Sequence, residues 1–249
     1  MPYAEKYEVP SDGVIYTANR IRAKGVTGGV EWKDGKGFGD AVDAIPTGGG
    51  GELPSGYTKR LYTKGDGIAY VNSEITPKTN SWFEIIAIIK REANKYRQEI
   101  GTRESSNVKS WQLNNKSTHD TDSLDYSDTT NHSINVAVGD NYYNVISVNK
   151  QGNREFVADG VTKIQNLVCD ASNYPFYVFG LNQANSVAGD CSKSIYFDVV
   201  FGEGDVVVAH FIPCTRNSDG EVGFYDVVRN TFYGNANLTG ALIAGPAIT

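Results

Sequence analysis

Catalysis by a β-rich chain would first show as paired carboxylates held a fixed distance apart, one acting as nucleophile or base and the other as acid. The spacing E-x-D-x-x-E on one strand is absent. Glu203 and Asp205 come closest, but they flank Gly204 in a turn-forming stretch where neither carboxylate would be desolvated, and Asp198 lies alone in its apolar run. The three histidines, His119, His132 and His210, are far apart in sequence and far from any cysteine, which argues for structural roles. His210, inside the apolar run from Val206 to Ile212, reads as a core or inter-sheet residue. Neither a G-x-S-x-G elbow nor a G-x-x-x-x-G-K-[ST] loop occurs. The expectation is a protein without catalytic residues. A glycan depolymerase whose acids come together from distant strands is the remaining enzymatic alternative.

Two segments carry residues suited to binding. The stretch from His119 to Asp128 alternates acids with hydroxyls. It fits an exposed acidic loop first, and a calcium loop built on Asp120, Asp122 and Asp125 second, since oxygen-rich loops suit that hard cation. The central glycine and terminal glutamate of an EF-hand loop are missing. No other cofactor is suggested. Rigid aromatic faces interspersed with amides and carboxylates suit sugar or protein recognition. Trp111, His119, Tyr126, Tyr142 and Tyr143, in polar stretches read as long loops, form the candidate ligand-contact set. The competing reading places Trp111 and Tyr143 in the core.

The elements that would position these residues are strands. Runs rich in β-branched and aromatic residues recur at 68–71, 82–90, 96–102, 133–138, 142–149, 155–158, 162–168, 176–181, 194–201, 206–213, 222–227 and 231–233. Asp159-Gly160, between EFVA and VTKI, is the strongest hairpin signal, because both central positions of a type I′ turn need positive φ. Looser turns are expected at 202–205 and 217–220. About a dozen strands with almost no helix between them predict an all-β fold, an antiparallel jelly-roll or sandwich.

Bulk properties narrow the partners. A formal net charge of −6 disfavours nucleic acid and anionic lipid. The basic cluster Lys90, Arg91, Lys95, Arg97 and Arg103 is read as solvated. The start of the chain carries no basic-then-apolar leader pattern, and the longest apolar run falls well short of the ~20 residues of a membrane helix. Three widely spaced cysteines, Cys169, Cys191 and Cys214, support neither a disulfide framework nor a zinc site. Synthesis in a reducing cytoplasm fits this usage.

The sharpest break is the glycine run 48–51, which leads into Pro54. The expected division is 1–47 as a docking or oligomerisation segment, 48–56 as linker and 57–249 as the β domain. Two short helices are predicted upstream, one over 17–25 that contains Ile21, the other over 37–45 with Phe38, Val42 and Ile45 on one face. Helices this short bury too little surface to stand alone, so these residues are expected to meet a partner, a second copy, or the downstream domain.

The closing quarter carries four blocks in order: DVVVAHFIPC at 205–214, SDGEVGFYDVV at 218–228, FYGNA at 232–236 and IAGP at 243–246. With GIAYVN at 67–72, ITP at 75–77 and YPFYVF at 174–179, these resemble bacteriophage and prophage tail-associated proteins that end in a concanavalin A-like, laminin-G-like sandwich. The segment ANRIRAKG at 18–25 followed by GFGDAVDAI at 37–45 is similar to short modules of phage tail and fibre proteins, with Trp32-Lys33-Asp34-Gly35 where those modules read Phe-Pro-Asp-Gly. The resemblance implies a virion-surface protein, a tail fibre, baseplate or capsid spike component made in the bacterial cytoplasm. It further implies a homo-oligomer, plausibly a trimer, docked to other virion proteins through 1–47, with the sandwich facing host-surface glycan or protein. A purely structural or decorating role is the alternative. The fold alone selects among none of these.

Overall fold

The computed structural model describes residues 53–248 except 91, 93–94, 107, 118–121, 128–132, 138–141, 149–154, 159–160 and 165–169. The chain divides between Gly51 and Glu52, and every described residue belongs to the second unit. The predicted helices of 17–25 and 37–45, with Ile21, Phe38, Val42 and Ile45, lie outside the described residues, as does the glycine run 48–51.

Among the described residues there are twenty strands and no helix. They are β1 (Tyr57–Lys59), β2 (Thr63–Lys64), β3 (Val71–Asn72), β4 (Ser81–Ile89), β5 (Tyr96–Arg103), β6 (Trp111–Ser117), β7 (Asp122–Ser127), β8 (Ser133–Ala137), β9 (Tyr142–Val148) and β10 (Glu155–Ala158). There follow β11 (Val161–Ile164), β12 (Tyr177–Val178), β13 (Gly180–Gln183), β14 (Ser186–Val187), β15 (Asp190–Cys191), β16 (Ile195–Glu203), β17 (Val206–Arg216), β18 (Val222–Asp226), β19 (Thr231–Tyr233) and β20 (Ile243–Ala244). An eleven-stranded sheet runs β11-β10-β9-β4-β16-β17-β18-β19, with β1, β2 and β20 attached beside it. A nine-stranded sheet runs β14-β13-β5-β6-β7-β8, with β3, β12 and β15 attached.

Alternation explains which faces meet. In β4 the side chains of Phe83, Ile85, Ala87 and Ile89 enter the core while Trp82 and Glu84 point the other way, as the period of two requires. Val199, Phe201, Phe211 and Phe224 continue that inward face across the eleven-stranded sheet, and Ile100, Trp111 and Leu113 answer from the nine-stranded one. Phe176 joins the two, its ring 5.7 Å from Phe83, 5.7 Å from Trp111 and 5.4 Å from Phe201. Such ring pairs add about 0.5–1.5 kcal/mol each beyond their buried area.

The all-β expectation holds for the described residues, with two adjustments. The nine-stranded sheet is mixed, because β13 and β15 both run parallel to β5. The cause lies at Phe179, a non-glycine residue at φ 66 that turns the chain back: Val178 in β12 pairs antiparallel with Ile100, and Gly180 in β13 pairs parallel with the same residue. Left-handed backbone at a bulky residue costs about 1–2 kcal/mol. It is offset by the buried Phe179 ring, which packs 4.2 Å from Tyr196 and 6.0 Å from Phe224. Secondly, the residues around Trp111 and Tyr126, expected in long loops, are the paired strands β6 and β7.

The turns follow their residue types. Ala158 of β10 faces Val161 of β11, which leaves two residues between them at the expected hairpin. Gly204 (φ 54) turns β16 into β17, and Gly220 (φ 75) turns β17 into β18. Gly202 is needed for a different reason: a Cβ there would stand 2.0 Å from the Trp82 ring, which lies across the strand and donates from Nε1 to Gly204 O at 2.7 Å.

Candidate functional site: the outward face of the nine-stranded sheet

Because Trp111 and Leu113 occupy the core, their neighbours Gln112 and Asn114 take the opposite face of β6. The register extends that face into rows. Gln98 of β5 is opposite Asn114, Asn114 is opposite Asp125 of β7, and Asp125 is opposite Asn135 of β8, so three amide residues and one acid line up across four strands. The next row holds Gly101, Gln112, Ser127 and Ser133. Arg103 ends β5 on the same face, opposite Gln183 of β13.

Asn114 is fully buried, yet neither its Nδ2 nor its Oδ1 has a hydrogen-bond partner, and the Oε1 of buried Gln98 also has none. A buried atom of this kind costs about 1–3 kcal/mol of desolvation unless a water or a ligand bonds it. Arg103, half-buried at the end of the face, is held by neutral groups: Nε donates to Gln183 Oε1 at 2.8 Å and Nη1 to Gln112 Oε1 at 3.0 Å. Gln112 is itself fixed by a bond from Nε2 to Ser110 Oγ. Burial lowers the Arg103 pKa from its ordinary value. The adjacent Glu104 is engaged elsewhere, by Lys109 at 2.8 Å and Asn173 at 2.5 Å.

The inward face of the same strands handles polar groups differently. A bulge between Gln98 and Ile100 adds Glu99 as an extra residue, and its carboxylate enters the protein beside Ile100. Ser192 Oγ donates to Glu99 Oε2 at 2.6 Å and Ser194 Oγ to Oε1 at 3.0 Å. The Tyr196 hydroxyl lies 3.0 Å from Oε2 and 2.9 Å from Glu99 O. Burial raises the Glu99 pKa against the pull of these donors, and burial likewise pushes the Tyr196 phenol well up. Beside it Arg97 donates to Cys191 O at 2.7 Å and pairs with Glu92 at 2.5 Å, while Lys193 reaches Glu92 at 3.0 Å. Those hydrogen bonds hold the Glu92 pKa down at about 2. Arg97 Nε and Asn115 Oδ1 are unbonded, but each side chain has other bonds; Asn114 has none.

Trp111 is fully buried, with Nε1 donating to Asp170 O at 2.8 Å, so its indole presents no surface to a ligand. In the strand register Tyr126 of β7 pairs with Leu113, and Tyr142 and Tyr143 of β9 pair with Ile89 and Ile88. His119, His132 and Asp120 lie outside the described residues. Asp122 and Asp125, the other two calcium candidates, lie in β7. Asp198, expected alone, lies 2.6 Å from His210 Nε2; His210 is buried as expected but on the outward face, opposite Val200. Glu203 pairs with Lys78 at 2.8 Å. Buried Cys191 and Cys214 have thiol pKa values pushed up by desolvation to about 11 and about 12. Such thiols carry little thiolate and are poor nucleophiles.

The outward row could have been found in the sequence. WQLN at 111–114 alternates apolar and polar with period two, and its two polar members, Gln112 and Asn114, are the ones that face out. Compared with known proteins, the chain matches no family model, no curated protein and no solved structure.

Proposed function

We propose that the chain is a bacteriophage virion protein, part of a tail fibre, baseplate or capsid spike, that displays a concanavalin A-like jelly-roll for adhesion to host-surface glycan. The contact surface in this reading is the outward face of the nine-stranded sheet, where Gln98, Gln112 and Asn114 are buried, so a saccharide reaches Asn114 only by displacing what covers that row. Support for the virion context comes from the four closing sequence blocks and the two-part chain, in which 1–47 docks to other virion proteins as part of a homo-oligomer.

The observation that carries the glycan reading is Asn114, a buried amide with an unused donor and an unused acceptor, in register with Gln98, Asp125 and Asn135. A carboxamide offers both hydrogen-bond senses, and saccharide hydroxyls return both. Successive outward residues stand ~7 Å apart along a strand, so the rows present polar groups at intervals suited to consecutive hydroxyl clusters. The protein acts by binding, without catalysis.

A glycan array probed with the full chain, with and without calcium, tests the proposal. Saccharide-selective binding is expected, weakened roughly tenfold in Asn114→Ala, as the loss of about one net hydrogen bond requires. Binding to no glycan by folded protein would overturn the adhesion reading in favour of a structural or decorating role. Binding unaffected by Asn114→Ala would move the contact surface elsewhere.

A further inference from the structure

We propose that the glycan recognised is anionic, and that Arg103 takes its carboxylate. This rests on the glycan reading of the same face and names the class of sugar: a uronate or sialate type.

Arg97 is paired with Glu92, Arg216 with Asp219 and Glu221, and Arg229 with Asp226. Arg103 and Arg60 are held by neutral groups and pair with no carboxylate among the described residues: Arg60 Nε donates to Thr215 Oγ1 at 2.8 Å, and Arg103 bonds the amide oxygens of Gln183 and Gln112. Of the two, Arg103 is the one on the outward face of β5, joined to Gln112 in the amide-bearing strand β6. A cation withdrawn from water without a counter-ion is costly, and two neutral acceptors offset only part of that cost. What they supply is orientation. A guanidinium has five N–H donors in a rigid fork, and commitment of Nε and one Nη1 hydrogen leaves donors on Nη1 and Nη2 in a fixed plane, the arrangement that receives a carboxylate.

The surroundings favour a charged ligand over a structural anion from the protein. Glu104, the nearest acid in sequence, is held by Lys109 and Asn173. Asp125, on the same face, is two strands away from β5. A ligand with its acid group at Arg103 and hydroxyls toward Asn114 meets a cation at one end and amides at the other. Gln112 links the two, since it holds Arg103 and precedes Asn114 by two positions on the same face of β6. Generic charge attraction cannot imitate this selectivity, because the chain's net charge of −6 repels a polyanion.

The test is an array carrying uronate- and sialate-bearing glycans beside their carboxyl-reduced counterparts, probed with the full chain and with Arg103→Gln and Arg103→Lys. Circular dichroism of each variant confirms that it is folded. Expected is binding to the acidic members that falls at least tenfold on carboxyl reduction and in R103Q, with partial recovery in R103K. Equal binding to acidic and reduced forms that is still weakened by Asn114→Ala would overturn the role of Arg103 and leave glycan adhesion standing. Absence of binding to every glycan would overturn both. Preference for the acidic forms that survives R103Q would overturn the assignment to Arg103.

Discussion

The two faces of β5 and β6 bury polar side chains in opposite ways. Inward, Glu99 is charged or protonated among three hydroxyls, Ser192, Ser194 and Tyr196, all placed within hydrogen-bond range. Outward, Asn114 is just as buried and bonds to nothing. A group built into the fold has its partners supplied by the fold, whereas one whose partners are absent points to something outside it. The contrast separates a polar cluster that holds two sheets together from one poised to meet a ligand.

The largest expected effect comes from breaking the inward cluster. Glu99→Ala takes the acceptor from the buried Ser192 and Ser194 hydroxyls, leaves Tyr196 only the backbone Glu99 O, and opens a cavity, and should lower the unfolding free energy by about 3 kcal/mol in urea titration. A loss under about 1 kcal/mol would mean that the cluster is not the stabilising member of the pair. A second effect follows from the raised pKa of Glu99. The folded state keeps its proton at pH values where the unfolded chain, with an ordinary value near 4.5, has lost it. Its contribution is therefore complete below the unfolded pKa and declines as pH rises through the folded one. Unfolding free energies measured from about pH 4 to about pH 9 should show the wild type losing stability relative to Glu99→Gln with rising pH. Glu92, held down at about 2, contributes in the opposite direction and only in acid, so it cancels in that difference.

The smallest effect should come from the outward row. Asn114→Ala removes two unbonded polar atoms without adding bulk to a buried site, so stability should change by less than about 1 kcal/mol. A large destabilisation would show that Asn114 is held by the fold after all and would weaken the contrast.

Much of the architecture was legible beforehand. β4, β16 and β17 were visible because Ile, Val and Phe dominate them, and the hairpin of β10 and β11 because Asp-Gly separates two β-branched runs. The site was less legible. Strands β6 and β7 read as loops because Asn, Asp and Ser outnumber their apolar residues, and the alternation that sends Trp111 and Leu113 into the core is concealed by that composition. Trp111, singled out for binding, is large enough to be drawn into the core. Arg103 was grouped with solvated basic residues, since nothing local reveals that its partners come from Gln112 and from Gln183, eighty positions away. Nor does local sequence reveal the bulge at Glu99.

That bulge also has an evolutionary reading. Gln98 pairs with Asn114 on one side of it and Ile100 with Leu113 on the other, so every residue of β5 except Glu99 keeps the facing it would have in an uninterrupted ladder. A single codon could therefore enter or leave at this position without turning any neighbour over. The inward acid can be gained or lost while the outward surface drifts toward new ligands, so that anchoring and recognition evolve on separate clocks along one strand.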